Sequence, residues 1–290
     1  MSDTPAAPPR RRSVQCQSGA GLHRMAYREW GDARNPRVLV CVHGLTRSAR
    51  DFDILAGALC DRYRVVCPDV AGRGDSDWLA DARLYTTPQY VGDMVTLIAR
   101  LDVAEVHWVG TSMGALIGMS LAALAHAPIT RLVMNDAGPV LAKAALERIA
   151  GYVGLAPEFS SFAEAARYVR SITSSFGPHS EAEWHFLCET VLRGSDADGW
   201  RLHYDPRIGA AFRATLPGKD IELWETYEAL RCPTLVAHGE TSDLLTRETC
   251  ERMRARGPKA EVVEFAGVGH APTLMHEDQI AVLREFLTAG

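Results

Sequence analysis

The sequence predicts an α/β protein, a doubly wound and mostly parallel sheet carrying an inserted helical cap, and three observations predict it. Short apolar, β-branched runs alternate with helical periodicity along most of the chain. Those runs are apolar at nearly every position, as strands buried on both faces are. The rhythm stops at Gly138-Pro139 and resumes near Ile221. The block between is therefore an insertion, which divides the chain into a core of residues 1–138 and 221–290 and a cap of residues 139–220.

Taken in order, residues 13–17 and 22–30 alternate weakly around Gly19 and Gly21 and read as an opening hairpin. Residues 37–42, 63–67, 106–110 and 131–135 are the buried strands that follow. Residues 51–61, 88–101 and 113–126 are the helices between them. Within the insertion the period is helical over 140–153, 161–172, 181–192 and 206–213, with no strong strand candidate; Gly177-Pro178, Gly194 and Gly199 punctuate it. A helix at 221–230, a strand at 233–238, a helix at 247–256, a strand at 261–265 and a helix at 276–288 restore the alternation.

Composition excludes several classes. The 290 residues are 47% apolar and 23% charged, which argues against disorder, and a net charge of -5 offers no basic face to nucleic acid. The longest apolar-rich stretch, residues 115–127, is interrupted by Ser120 and His126 and is too short for a membrane span. Seven cysteines include no C-x-x-C pair, and Met1 to Arg12 contains no apolar signal-peptide core, so a reducing, cytoplasmic compartment is expected. The Arg10-Arg11-Arg12 triplet reads as a solvated tail. No residue set has zinc, calcium or phosphate-loop spacing, so neither metal nor cofactor is expected.

The strongest local signal is Gly110-Thr111-Ser112-Met113-Gly114, a G-x-S-x-G sequence between a buried strand and a small-residue helix. Such an elbow strains the serine backbone, needs small neighbours, and aims a helix N-terminus at a developing oxyanion. A serine nucleophile requires a base within hydrogen-bonding reach. His270, in a Gly-rich loop after the last strand, is the candidate; His107 and His238 lie in strands and read as satisfied core groups. The acid that orients the base has two candidates at strand ends, Asp243 and Asp136, with Glu240 a third. Asp243 is preferred because its strand neighbours the one leading to His270.

With these residues in view, the chain resembles the α/β-hydrolase fold serine hydrolases of the compact, cap-bearing type. The resemblance runs from Val38–Leu45 through Pro68–Ser76, the Ser112 elbow, Cys232–Asp243 and the Gly269-His270 loop. It implies a cofactor-independent carboxylic ester hydrolase acting through an acyl-enzyme on Ser112. The oxyanion donors it implies are the backbone N–H groups of Leu45 and Met113, with His43 structural and Arg73-Gly74-Asp75 an ordinary loop of the family. Lactone or enol-lactone hydrolysis is the alternative, then carbon–carbon hydrolysis or acyl transfer, then a receptor of the same fold without turnover, or a cofactor-free oxygenase. Ala271 and Thr111 depart from the carbon–carbon hydrolase pattern, and a serine at the elbow disfavours dehalogenation and epoxide opening.

The insertion is rich in aromatic residues, which mostly serve as core. Some must nevertheless line the pocket of a cap that roofs Ser112, and Trp184, His203 and Tyr204 are the candidates. No Arg or Lys cluster marks an anionic substrate. The expected partner is a neutral, fairly apolar ester, small or oligomeric.

Overall fold

A computed structural model describes residues 8–289. The opening hairpin is β1 (Arg10–Ser18) and β2 (Gly21–Trp30), followed by β3 (Val38–Val42), α1 (Asp53–Leu59), β4 (Arg64–Pro68) and α2 (Thr87–Leu101). Next come β5 (Val106–Thr111), α3 (Met113–Ala122) and β6 (Ile129–Asn135). The chain then makes an excursion through β7 (Val140–Leu141), α4 (Lys143–Ala150), β8 (Glu158–Phe159), α5 (Phe162–Ile172) and α6 (Glu181–Glu189). It continues through β9 (Leu192–Ser195), β10 (Gly199–Leu202), α7 (Ile208–Ala214) and β11 (Ile221–Glu222). Last are α8 (Trp224–Glu228), β12 (Thr234–Gly239), α9 (Arg247–Ala255), β13 (Glu261–Phe265) and α10 (Glu277–Thr288).

Among the described residues the main sheet has eight strands in the order β1-β2-β4-β3-β5-β6-β12-β13. The hairpin and the β2–β4 pair are antiparallel, and the remaining pairs are parallel. Successive residues of a strand point to opposite faces, and both faces here are covered. Val38, Val40 and Val42 of β3 enter one core with Tyr90, Met94 and Leu97 of α2. Leu39 and Cys41 enter the other, against Leu55 and Leu59 of α1 and Ile280 and Leu283 of α10. That double burial is why the strands read as continuous apolar runs.

Parallel strands bring their carboxyl ends to one edge. Val42 pairs with Gly110, Thr111 with Asn135, and Asn135 with Ala237. The residues just beyond those positions therefore emerge side by side, the usual place for a site in such a sheet.

Three expectations change. Arg10–Arg12 is the start of β1, not a tail: Arg10 donates from Nε to Glu29 at 3.0 Å and from Nη2 to the Gly31 carbonyl at 2.7 Å. The reading of the first seven residues lies outside the described residues. The excursion holds strands as well as helices. β8, β10 and β9 form an antiparallel sheet, and the helix expected to reach residue 192 stops at Glu189. Four-residue strands are too short to show a period, and Gly194 and Gly199, both at positive φ, are part of that sheet. The helix after the elbow also ends early, at Ala122, because Pro128 and a left-handed His126 turn the chain toward β6. At its root the excursion is joined by β7 and β11, where Leu141 pairs with Ile221. No helix among the described residues is long and apolar enough to cross a membrane.

Candidate active site

The elbow forms because two glycines allow three elements to touch. A Cβ on Gly114 would lie 1.9 Å from the Val42 carbonyl oxygen, and one on Gly110 would lie 2.2 Å from the Gly114 carbonyl oxygen. Trp108 Nε1 donates to that same Gly114 carbonyl at 3.1 Å. Both Cβ contacts would be with backbone, so no side chain can move aside. Gly114→Ala is expected to cost about 3 kcal/mol or more, measured as a lowered urea midpoint or as loss of soluble protein. A midpoint like that of the unchanged chain would show that the strand and helix can separate without cost.

Between those glycines Ser112 sits at φ 53°, ψ −114°, a conformation that costs about 1–3 kcal/mol. Its N–H donates to the Asn135 carbonyl at 2.9 Å, which ties the turn to β6. The Ser112 hydroxyl lies 2.9 Å from His270 Nε2, and His270 Nδ1 lies 2.7 Å from Asp136 Oδ2. A carboxylate only accepts, so Nδ1 carries the proton and Nε2 is left as the acceptor for the serine O–H. This arrangement can draw a proton from Ser112 and hold the resulting imidazolium beside a buried negative charge.

Asp136, not Asp243, is the acid in this contact. It is fully buried at the end of β6, with a left-handed backbone (φ 52°) that turns its side chain back over the sheet edge. Its Oδ1 accepts the Gly239 N–H at 2.9 Å, and its Oδ2 also accepts the Ser242 hydroxyl at 2.6 Å. Asp243 is half exposed and forms a bidentate pair with Arg148 of α4, at 2.6 and 2.8 Å. The reason lies in strand order. β6 stands between β5 and β12, so an acid directly at its end is one strand from Ser112, whereas Asp243 lies four residues past β12 on an outward loop. Glu240 is also elsewhere, accepting the Gly267 N–H at 2.8 Å.

Leu45 and Met113 line the cavity that contains Ser112, and among the described residues neither backbone N–H has a partner. Arg73 fastens both residues. It is fully buried and donates to the Leu45 carbonyl at 2.8 Å, and its Nη2 lies 3.6 Å from Met113 Sδ. The Arg-Gly-Asp tripeptide thus offers no arginine to solvent. His43 is structural in its contacts, its Nδ1 donating to the Gly44 carbonyl at 2.7 Å and its Nε2 accepting the Val70 N–H at 2.9 Å. Burial pushes its pKa down to about 4, so the ring is neutral.

Two contributors were missed by sequence reasoning. Asn135 donates from Nδ2 to Thr111 Oγ1 at 2.9 Å and to the Pro272 carbonyl at 2.8 Å, joining the elbow to the histidine loop. Ser175, from the excursion, brackets that loop: its hydroxyl donates to the His270 carbonyl at 2.8 Å and its carbonyl accepts the Gly269 N–H at 2.6 Å. A strand-end Asn is a detectable hint of the first. Nothing local announces the second.

The cavity at Ser112 has a volume of about 730 Å³, and none of its lining residues is Asp, Glu, Lys, Arg or His. The excursion contributes Leu146, Ile149, Ile208 and Phe212 to it; one of its aromatic side chains thus lines the cavity, but it is Phe212 and not Trp184, His203 or Tyr204. Trp184 is buried against Leu187 and Met275, and the Tyr204 hydroxyl accepts the Gly154 N–H at 3.0 Å. His203 lies beside Arg193, 3.5 Å from its guanidinium. Those three side chains make contacts elsewhere, and the excursion's share of the cavity wall is mainly aliphatic. His107 and His238 are satisfied, by the Tyr63 hydroxyl and by the Leu245 carbonyl and Glu264. One group of potential metal ligands gathers among the described residues, Cys16, His23 and Asp93, all buried in the β1–β2 hairpin and α2 outside the cavity lining.

Residues 39–283 match the profile of the alpha/beta hydrolase family. A 3-hydroxybutyrate-oligomer hydrolase of Cupriavidus necator is 54% identical over 98% of this chain and 100% of its own. A pimeloyl-[acyl-carrier protein] methyl ester esterase of Xanthomonas campestris is 27% identical over 87% of this chain and 95% of its own. The crystal structure of an alpha/beta hydrolase from Novosphingobium aromaticivorans superposes with a TM-score of 0.87 at 36% identity, over 97% of this chain and 98% of that one.

Proposed function

The chain belongs to the alpha/beta hydrolase family and is an ester hydrolase, and from that premise we propose that it cleaves short oligomers of 3-hydroxybutyrate through an acyl-enzyme on Ser112. The observation that carries the mechanism is the unbroken contact from Ser112 through His270 to Asp136, at 2.9 and 2.7 Å. The oligomeric substrate rests on the full-length similarity to the Cupriavidus necator enzyme.

Ser112 attacks an ester carbonyl while His270 Nε2 takes its proton. The N–H groups of Leu45 and Met113 donate to the oxyanion, each worth about 3–4 kcal/mol in such a site. His270 then protonates the departing alcohol, and water activated by the same nitrogen releases the acid. Residues 139–220 act as a cap over the nucleophile, closed at its root by the β7–β11 pair. An uncharged cavity suits a neutral ester chain, since an unpaired carboxylate within it would be costly. All seven cysteines are free, which fits a reducing compartment such as the cytoplasm.

The direct test combines labelling and turnover. A fluorophosphonate is expected to label Ser112 stoichiometrically, and 3-hydroxybutyrate trimer is expected to be converted to smaller units without added metal or cofactor. An unlabelled Ser112 would sink the acyl-enzyme. Rapid cleavage of simple aryl esters with no action on the trimer would sink the oligomeric substrate.

A further inference from the structure

We infer that Ser120 is a specificity residue that recognises a second ester group of the substrate's acyl chain, a role that rests on the proposed oligomer substrate. The cavity runs along one face of α3 and beyond its end, where Met113, Leu116, Ser120 and Leu124 follow each other at helical spacing. Three of these are apolar and one is a hydroxyl. Helical Thr96 donates to the carbonyl four residues back, as does Thr288 at the end of α10. Ser120 does not: among the described residues its hydroxyl has no hydrogen-bond partner, although it lines an apolar cavity. A hydroxyl left free in such a wall is available to a ligand acceptor.

The position of the cavity decides which part of the substrate it holds. Its lining includes Ser112 and both candidate oxyanion residues, Leu45 and Met113, but not His270. A leaving alcohol must face His270 to receive its proton, so the cavity lies on the acyl side. In a linear hydroxyacid oligomer the acyl side ends in a neutral hydroxyl and the leaving side carries the carboxylate. The uncharged wall matches the first of these.

The spacing fits as well. Ser120 lies seven residues along α3 from Met113, a rise of about 10 Å. An extended chain advances about 1.2 Å per bond, so two four-bond repeats span about the same distance. The second ester carbonyl beyond the scissile one therefore falls opposite the Ser120 hydroxyl.

The test uses the full chain and its Ser120→Ala variant on three p-nitrophenyl esters. These are the butyrate, the ester of a 3-hydroxybutyrate trimer, and an alkanoate matching the trimer in length. In the variant, kcat/KM for the trimer ester is expected to fall about tenfold, the loss of one neutral hydrogen bond. The butyrate, too short to reach, and the alkanoate, which has no acceptor, are expected to keep theirs within about twofold; Ser120→Thr, which retains the hydroxyl, restores the preference for the trimer over the alkanoate. Equal effects on all three esters, or none on the trimer, would overturn the role of Ser120 while leaving the substrate intact. Failure of the unchanged chain to cleave the trimer ester, with the butyrate still cleaved, would overturn both.

Discussion

Ser112→Ala is expected to lower kcat for ester hydrolysis by about 10⁵-fold or more while leaving the fold in place, the loss seen when a nucleophile of this type is removed. The size follows from how little else could substitute. The hydroxyl is the group in contact with His270 Nε2, and its carrier is held by backbone contacts that alanine preserves: the N–H bond to the Asn135 carbonyl and the close approach of Gly110 and Gly114. The strain at φ 53° is the same for both residues, so the urea midpoint should shift little. Single-turnover kinetics with an activated ester check the prediction. An acyl adduct found on another residue, or turnover within about tenfold of the unchanged chain, would refute the nucleophile.

Asp136→Asn is expected to lower kcat by about 10⁴-fold, and Asp243→Asn by less than about threefold. The first effect is one of tautomers. The Gly239 N–H fixes an acceptor at the Oδ1 position, so the asparagine NH₂ takes the Oδ2 position and faces His270 Nδ1. Two donors cannot share that contact, so Nδ1 must lose its proton and Nε2 gain one. An Nε2 that already carries a proton cannot accept another from Ser112. Asparagine tolerates the left-handed backbone, so the loss would be chemical rather than conformational. Asp243 by contrast meets Arg148 with both partners partly in water, an ion pair worth about 0–1 kcal/mol. Measuring kcat for both variants separates the two acids. A larger loss at Asp243 would reverse the assignment.

That assignment marks the boundary of what could be read locally. Strand and helix positions follow from the period of apolar residues, a property of a few consecutive positions, and the parallel strands fall within three residues of where that period puts them. The elbow serine and the loop histidine are likewise announced by their own glycines, and the structure brings the two into contact. Asp136 and Asp243 offered equal local credentials: each follows a buried strand, and each lies between Ser112 and His270 in the chain. One signal could have separated them. Asp136 directly follows the last residue of β6, whereas three residues intervene between β12 and Asp243.

The sequence by itself determined the fold class, the place where the alternation is interrupted, the candidate nucleophile and its base, because periodicity and turn chemistry are short-range. Only the tertiary structure decided which carboxylate meets His270, which side chains wall the cavity, the strands within the excursion and the hold of Ser175 on the histidine loop. Each of these depends on where a side chain points after the backbone has left a regular element. That direction is set by the neighbouring strand or loop, which can lie a hundred residues away: Gly239 and Ser242 fix Asp136, as Ser175 fixes the backbone around His270.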